Sequence, residues 1–328
     1  MDTPTSEAVD ADGLFDKYLL PKAALTVILA ASLVGTAVSL RLSTGWDLAL
    51  AVAKWGYFVS LGTLTGGYVW KHGFVRPADL DADGYCRRMY DRFDRIALGA
   101  VAALAVSAPV VVAAYLAGGT SETGTTVLTL LLVALAALVG VDAKRPRPVE
   151  AQFRSPSGLL ALGLGVAAVL GSAWLDVGLT GRGGVAVAVR ALHLLAVAVW
   201  VGGAVWNIFA AVPSGQARPT TGTVRAAGEQ LERFRWAVRL VIPTLVLTGL
   251  HQAVDALGLG VRAYLGSLVG LAILAKVGFV ALLVGIFLTC PMWRACSPID
   301  GVCDLDDLGT GSSTDGAAST DGGVSDDG

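Results

Sequence analysis

The chain has few charged, sulfur-containing and imidazole side chains for its length. Only 15% of its 328 residues are charged, and it contains 3 histidines, 3 methionines and 4 cysteines. The 54% that are hydrophobic fall in long runs, which excludes an ordinary soluble domain and predicts a polytopic membrane protein. Because methionine is nearly absent, the chain lacks the row of thioether ligands that is expected of a dedicated cuprous channel.

Sequence motifs of the common enzyme classes are also missing. The chain has no Gly-rich phosphate loop after a strand, no Gly-x-Ser-x-Gly and no His-Glu-x-x-His. We therefore expect neither a hydrolase nor an energised pump. More generally, we expect that the protein is not an enzyme. The basic residues lie where membrane topology requires them, so a net charge of −2 gives no reason to expect a nucleic-acid partner.

Eight apolar runs are long enough to cross a lipid bilayer, which takes about 20 residues each. They predict an all-α, polytopic membrane bundle of eight transmembrane helices. The runs lie near residues 21 to 41, 47 to 70, 95 to 117, 123 to 142, 158 to 177, 183 to 210, 236 to 256 and 264 to 289.

The loops that follow the second, fourth and sixth runs hold most of the Lys and Arg residues. Because cytoplasmic loops are enriched in these residues, both termini of a multi-pass plasma-membrane protein are predicted to be cytoplasmic. The cysteines then face the cytoplasm, where thiols stay reduced. The acidic start of the chain has the wrong charge for a secretory signal, so we expect the first span to be retained as an anchor.

The composition divides the chain into five segments. We predict an acidic cytoplasmic segment at 1–20, a first four-helix half at 21–142, a basic cytoplasmic loop at 143–157, a second four-helix half at 158–290, and a disordered acidic cytoplasmic tail at 291–328. The acidic tail and the excess of arginine over lysine suit a salt-loving organism.

The second and sixth predicted spans resemble each other when the chain is shifted by 136 residues, and a shift of 141 aligns Asp91-Arg92-Phe93 with Glu232-Arg233-Phe234. We therefore expect two parallel four-helix repeats with binding sites between them. The tryptophans aligned by the first shift are predicted to join an interfacial aromatic belt. The aligned pairs are Lys54 with Arg190, Tyr57 with His193, Gly66 and Gly67 with Gly202 and Gly203, and Trp70 with Trp206.

Two histidines within apolar runs mark the candidate site, because a ligating side chain at membrane depth is costly. His193 and His251 both fall in the predicted outer half, at depths that one copper ion or one haem can share. Asp176 is predicted on the same side, either as an acceptor that draws a cation inward or as ordinary helix-end polarity. The predicted supporting residues are Trp200, Gly202, Gly203, Asn207, Gln252 and Asp255.

Cations within the runs need a partner or a route to the membrane surface. Lys54 and Arg190 are near enough to a surface to extend to it, whereas Lys276 lies near mid-membrane. Under a haem interpretation, Arg190 and Lys276 are the predicted cofactor-binding residues. His72 is predicted to be a solvated loop residue.

Three motifs follow one another in the second half: Arg190-Ala-Leu-His193 through Trp200-Val-Gly202-Gly203, then Arg233-Phe234 ahead of Thr248-Gly249, then Leu-Ala-Lys276-Val. Their order and spacing resemble the copper resistance protein D family over roughly residues 185 to 290. The resemblance implies an eight-span inner-membrane protein of copper uptake or resistance that acts beside a separate extracytoplasmic copper-binding protein. It marks His193 as the best ligand candidate.

Three functions are therefore open. In the first, His193 and His251 take copper from the outer face, and alanine at either position abolishes copper-dependent uptake. In the second, the same histidines are axial ligands of a b-type haem, with Arg190 or Arg262 near the propionates. In the third, the protein is a non-catalytic membrane scaffold whose histidines only make interhelical hydrogen bonds.

Overall fold

The computed structural model describes residues 22, 25–26, 28–37, 40, 47–80, 84–145, 147–218 and 220–289, without the side chains of residues 221, 280 and 283–289. These residues form helices joined by loops, and no strand occurs among them. The predicted acidic segment at 1–20, the predicted tail at 291–328, and three of the four cysteines lie outside the described residues.

The main helices are labelled in chain order and follow the predicted spans. They are α1 (Ile28–Ala37), α2 (Leu48–Val69), α3 (Tyr85–Ala117), α4 (Glu122–Lys144), α5 (Pro156–Gly178), α6 (Gly184–Val205), α7 (Thr221–Leu257) and α8 (Leu268–Thr289). α2 continues into a π-helical turn at Trp70–Phe74, and α6 continues into another at Trp206–Ala211 and then into Val212–Gln216. Short helices cover Pro77–Leu80, Val149–Gln152 and Val261–Leu265.

Six helices, α2 to α7 with their continuations, are long and apolar enough to cross a membrane. This confirms the all-helical, membrane-type fold class. In the described part of the chain, the first and eighth predicted spans appear as shorter apolar helices, Ile28–Ala37 and Leu268–Phe279. α3 and α7 begin well before their apolar runs, because the charged residues that lower hydropathy there do not break a helix.

Side chains with an oxygen on the β- or γ-carbon cap several helices at their first turn. Each accepts a hydrogen bond from a backbone N–H that has no helical partner, which stabilises the helix start by about 1 kcal/mol. At the other end of α7, Gly258 has a φ of 73°, a conformation that ends the helix and favours glycine. The capping residues are Asp47 for α2, Ser121 for α4, Ser155 for α5 and Thr220 for α7.

α2 and α6 cross at the centre of the bundle, with α3 and α5 against α2, and α5 and α7 against α6. α4 packs against α3 and α5. The crossing is made by glycines: a Cβ on Gly66 would lie 1.9 Å from the carbonyl oxygen of Ala198, and one on Gly202 would lie 2.5 Å from the Gly66 Cα. The two backbones therefore touch, as small residues permit in membrane helix pairs.

Aromatic rings pack reciprocally on the two sides of this crossing. Trp70 of the α2 continuation lies 5.6 Å from the ring of Phe234 on α7, and Trp206 of the α6 continuation lies 5.1 Å from Phe93 on α3. Both tryptophans are 0% exposed, so the prediction that they join an interfacial belt is wrong. The contacting pairs are related by the same shifts that relate the sequences of these segments.

Candidate functional site

His193 lies on the side of α6 that faces α7. Its Nδ1 is 2.9 Å from the hydroxyl of Thr248, and a Cβ on Gly249 would lie 3.7 Å from its Cε1. The ring is half-buried, and its Nε2 has no hydrogen bond within the described residues. One nitrogen of the ring is therefore held while the other is open.

The hydrogen bonds of Thr248 fix which ring nitrogen of His193 carries the proton. The Thr248 hydroxyl donates its only proton to backbone carbonyls, with the oxygen of Thr244 at 2.5 Å and that of Leu245 at 3.3 Å. The hydroxyl can then only accept from His193, so Nδ1 is the donor and Nε2 carries the lone pair. This is the arrangement that metal-binding histidines show, with the second nitrogen oriented by an outer partner.

His251 lies three residues after Thr248 but on the exposed side of α7. It shares a shallow groove with Leu247, Leu250, Val254 and Asp255. Because His193 faces the interior between α6 and α7, the structure does not bring the two predicted ligands together on one side of α7.

The other predicted supporting residues contribute to packing. Gly202 and Gly203 form the helix crossing and the seat for Trp70, and Trp200 is half-buried. Asn207 is 3% exposed, and its side-chain amide donates a hydrogen bond of 2.8 Å to the carbonyl oxygen of Gly203. At about 1.5 Å per residue, Asn207 is about 21 Å along the helix from His193, too far to share a ligand with it.

A group of charged and polar residues, the Asp176 cluster, lies just beyond His193 at one end of the bundle. The buried Asp176 carboxylate accepts hydrogen bonds from Lys54 at 2.7 Å, from Tyr115 at 2.9 Å and from Arg190 at 2.7 Å. Arg190 also donates a hydrogen bond of 3.2 Å to the side-chain oxygen of Gln252. Asp176 is thus fully engaged by two cations and does not act as a free acceptor at an open mouth.

The Asp176 cluster covers His193. Arg190 precedes His193 by one turn on α6, and Gln252 follows Thr248 by one turn on α7. The Arg190–Gln252 hydrogen bond therefore lies about 5 Å beyond the His193–Thr248 hydrogen bond and closes the gap between the two helices. Asp255 lies farther out, in a half-exposed ion pair with Arg182 at 2.8 Å.

The charged groups that act on the His193 ring are both cations, Arg190 and Lys276. Lys276 is exposed on α8. Because the carboxylate of Asp176 neutralises Arg190 at 2.7 Å, Lys276 is the cation that opposes a tightly held divalent ion at this ring. No group of three or more His, Cys, Asp and Glu side chains placed to hold a metal ion occurs in the described part of the chain.

A second group, the Asp79 cluster, lies at the opposite end of the bundle. Asp79 is 1% exposed and accepts hydrogen bonds from Arg233 at 2.6 Å, from Gln230 at 2.9 Å and from the backbone N–H of Arg76 at 2.8 Å. Arg233 also donates a hydrogen bond of 2.8 Å to the carboxylate of Glu229 and one of 3.0 Å to the carbonyl oxygen of Phe74. This buried pair joins the loop after α2 to the first part of α7.

His72 lies at the same end and is 3% exposed, so the prediction of a solvated loop residue is wrong. Its ring stacks on Tyr68 at 5.7 Å, and its Nε2 would lie 2.1 Å from a Cβ on Gly158. The neighbouring Lys71 pairs with Asp94 at 2.8 Å. The ring therefore fills the contact between the α2 continuation and the first turn of α5.

The sequence interpretation missed both ion clusters as connected groups. One signal was available: the shift of 136 aligns Lys54 with Arg190, and both side chains bind the same carboxylate of Asp176. No comparable signal connects Asp79 with Arg233, because 154 residues separate them. Comparison with family models, with curated proteins and with solved structures finds no match to this chain.

Proposed function

We propose that the protein handles copper in a cell membrane, with His193 as the ligand that receives the ion. The observation that supports this proposal is the 2.9 Å hydrogen bond between Nδ1 of His193 and the Thr248 hydroxyl, which orients the ring and leaves the lone pair of Nε2 free to bind an ion. Neutral imidazole suits copper in its biological oxidation states. The resemblance of residues 185 to 290 to the copper resistance D family supplies the choice of metal.

Copper in this proposal is cargo that passes through the protein. A single oriented imidazole with cations nearby binds an ion weakly enough to release it. His251, exposed in the groove beside Asp255, would capture the ion first, and His193 would receive it one step deeper. A separate extracytoplasmic copper-binding protein would deliver the ion to that groove.

The proposal includes the topology predicted from the sequence. Eight spans in two parallel four-helix repeats would place both termini in the cytoplasm of a multi-pass plasma-membrane protein. The Asp79 end would then face the cytoplasm, which agrees with the basic residues near it, including Lys71, Arg76, Arg87 and Arg88. The Asp176 end would face outward and admit the ion.

Copper accumulation by cells that express each variant tests the proposal. His193→Ala is expected to abolish copper-dependent uptake at every copper concentration, because the transferring ligand is gone. His251→Ala is expected to raise the copper concentration needed for half-maximal uptake and to leave the maximal rate nearly unchanged, because only capture is affected.

Thr248→Val is expected to reduce uptake about 10-fold or more, since His193 loses the partner that fixes its tautomer. Thr129→Val is the matched control, because the Thr129 hydroxyl also bonds a backbone carbonyl one turn earlier, that of Thr125 at 2.9 Å, but faces no histidine. Uptake by His193→Ala at the unaltered rate would contradict the proposal and favour a scaffold, in which the histidine hydrogen bond contributes about 0.6 kcal/mol to stability.

A b-type haem is the second candidate, because Arg190 and Lys276 near His193 suit the propionates of a haem. The described residues do not fit a bis-histidine haem, since His251 lies on the exposed side of α7. The absorption spectrum of the purified protein separates the candidates. A Soret band that disappears in both His193→Ala and His251→Ala would favour haem over copper.

A further inference from the structure

The internal similarity of the chain extends to α1 and α5. The shift of 136 residues that relates α2 to α6 also aligns residues 31–37, Ala-Ser-Leu-Val-Gly-Thr-Ala, with residues 167–173, Ala-Ala-Val-Leu-Gly-Ser-Ala. Thr36 is thereby aligned with Ser172. The Thr36 hydroxyl donates to the carbonyl oxygen of Ser32 at 2.9 Å. The Ser172 hydroxyl likewise donates one turn back, to that of Ala168 at 2.7 Å, so the same turn recurs with the same hydrogen bond.

The contacts between α2 and α6 join residues that this shift aligns with each other. A Cβ on Gly62 would lie 3.5 Å from the Cα of Ala198, and Gly66 touches Gly202 in the same way. A residue contacts its own counterpart where a two-fold axis passes between two related segments. A contact that α2 makes across this axis is therefore expected to have a counterpart made by α6.

Tyr57, which is aligned with His193, makes such a contact across the axis. Its hydroxyl is 2.6 Å from the hydroxyl of Ser172, so α2 is joined to α5 at this point. Both side chains are 0% exposed. The counterpart of α2 with α5 is α6 with α1, and the counterpart of Tyr57 with Ser172 is His193 with Thr36.

The opposite side of the His193 ring follows the same relation. The shift of 141 aligns Ser107 with Thr248, and both hydroxyls donate to the carbonyl oxygens four and three residues earlier. Ser107 lies against α2 beside Tyr57, since a Cβ on Gly56 would lie 3.8 Å from its Cβ. The surroundings of His193 therefore repeat those of Tyr57 on the side where they are observed.

The two rings differ in length and in what they leave open. The phenol of Tyr57 reaches its hydroxyl partner directly, whereas the shorter imidazole of His193 ends before a hydroxyl placed in the same way. A gap of about one atom then separates Nε2 of His193 from the Thr36 oxygen. Because the Thr36 hydroxyl gives its only proton to Ser32, lone pairs face this gap from both sides. His193 and Thr36 are each half-buried, unlike the fully buried Tyr57 and Ser172.

We infer that Thr36 of α1 lies opposite the open Nε2 of His193 and is the second protein ligand of the ion that His193 receives. Two lone pairs with no proton between them attract a cation. A nitrogen and an oxygen ligand without sulfur favour Cu(II) over Cu(I). The inference rests on the proposed copper function and deepens it, since it names the ion's oxidation state and places its site between the two halves, at α6 and α1.

Cross-linking tests the placement of Thr36 without copper. The chain's 4 cysteines are replaced, Thr36→Cys and His193→Cys are introduced together, and a protease site is inserted in the loop at 143–157. After treatment with a short bifunctional thiol reagent and cleavage of the loop, the two fragments are expected to stay linked on a gel.

Two control pairs calibrate this experiment. Tyr57→Cys with Ser172→Cys is expected to cross-link, because these side chains are in contact. Thr26→Cys with His193→Cys is expected not to cross-link. The Thr26 hydroxyl also bonds the carbonyl oxygen one turn earlier, but Thr26 lies ten residues before Thr36, about 15 Å along a helix.

Copper affinity tests the role of the Thr36 hydroxyl as a ligand. Equilibrium dialysis in a His251→Ala background leaves His193 as the site that is measured. Thr36→Val is expected to raise the copper concentration for half-saturation about 10-fold, because the oxygen ligand is lost while the shape is kept. Thr36→Ser is expected to bind copper as the parent does, because it retains the hydroxyl.

The outcomes separate this inference from the copper function. Failure of positions 36 and 193 to cross-link, in a protein whose pair at 57 and 172 does, would overturn the inference. Cross-linking with unchanged copper affinity in Thr36→Val would overturn the ligand role of Thr36. Cross-linking in a protein that binds no copper at all would overturn the copper function and leave only the contact of α1 with α6.

Discussion

Gly66→Ala is expected to destabilise the bundle by about 3 kcal/mol or more. The added methyl carbon would lie 1.9 Å from the Ala198 carbonyl oxygen and 2.9 Å from the Gly202 Cα, both backbone positions that no side-chain rotation can move. α2 and α6 would have to separate along their whole contact. Gly202→Ala is expected to have the same effect, since its Cβ would lie 2.4 Å from the Gly66 carbonyl carbon.

Thermal unfolding in detergent, followed by intrinsic tryptophan fluorescence, measures this effect. Trp70 and Trp206 are buried beside the crossing and report its loss. Gly140→Ala on α4 and Gly163→Ala on α5 are controls, because a Cβ at either position meets no atom within 4 Å. These variants are expected to be neutral or stabilised by up to about 1 kcal/mol, as alanine is the better helix former. Equal melting temperatures for Gly66→Ala and Gly140→Ala would show that the helices do not touch there.

Asp176→Leu is expected to lower stability by about 3–5 kcal/mol, because it leaves two partly buried cations without their shared carboxylate. Lys54 and Arg190 both donate to Asp176 at 2.7 Å, and their side chains are only 17% and 28% exposed. Tyr115 would lose its acceptor at the same time. The combined change Lys54→Met with Asp176→Leu is expected to recover part of the loss, since one of the two unpaired charges is removed.

The same unfolding measurement applies to this set, with Asp255→Leu as the control. Asp255 is an acidic residue at the same end of the bundle, but it and Arg182 are each 37% exposed, so its removal is expected to cost less than about 1 kcal/mol. Asp176 and Asp255 variants with equal stability would mean that the Asp176 cluster is solvated and does not tie the helices together.

The apolar runs predicted the class of the fold and the approximate place of α2 to α7, because hydropathy responds to membrane burial. They did not predict where α3 and α7 begin, since Tyr85 and Thr221 open charged turns that have low hydropathy but remain helical. The internal similarity indicated that Gly66 and Gly202 have related roles. It did not show that the two glycines lie against each other.

The orientation of His193 and His251 depends on helix rotation, which the sequence leaves open. In a soluble helix the apolar face points inward, but in a membrane the exposed face is apolar too. Leu247 and Leu250 beside His251 are 67% and 56% exposed, whereas the polar residues Thr248 and Gln252 face α6. An interpretation that assigned all intramembrane polar residues to one site therefore placed His251 with His193.

Copper bound per chain, measured by equilibrium dialysis of the detergent-purified protein against copper, tests the proposed role of His193. In a His251→Ala background, which removes the capture site, the proposal predicts about one copper per chain at saturation when His193 is present, also in Thr129→Val, and almost none when His193→Ala is added. The same copper binding in this background with and without His193→Ala would contradict it, because the open Nε2 would then not be the ligand.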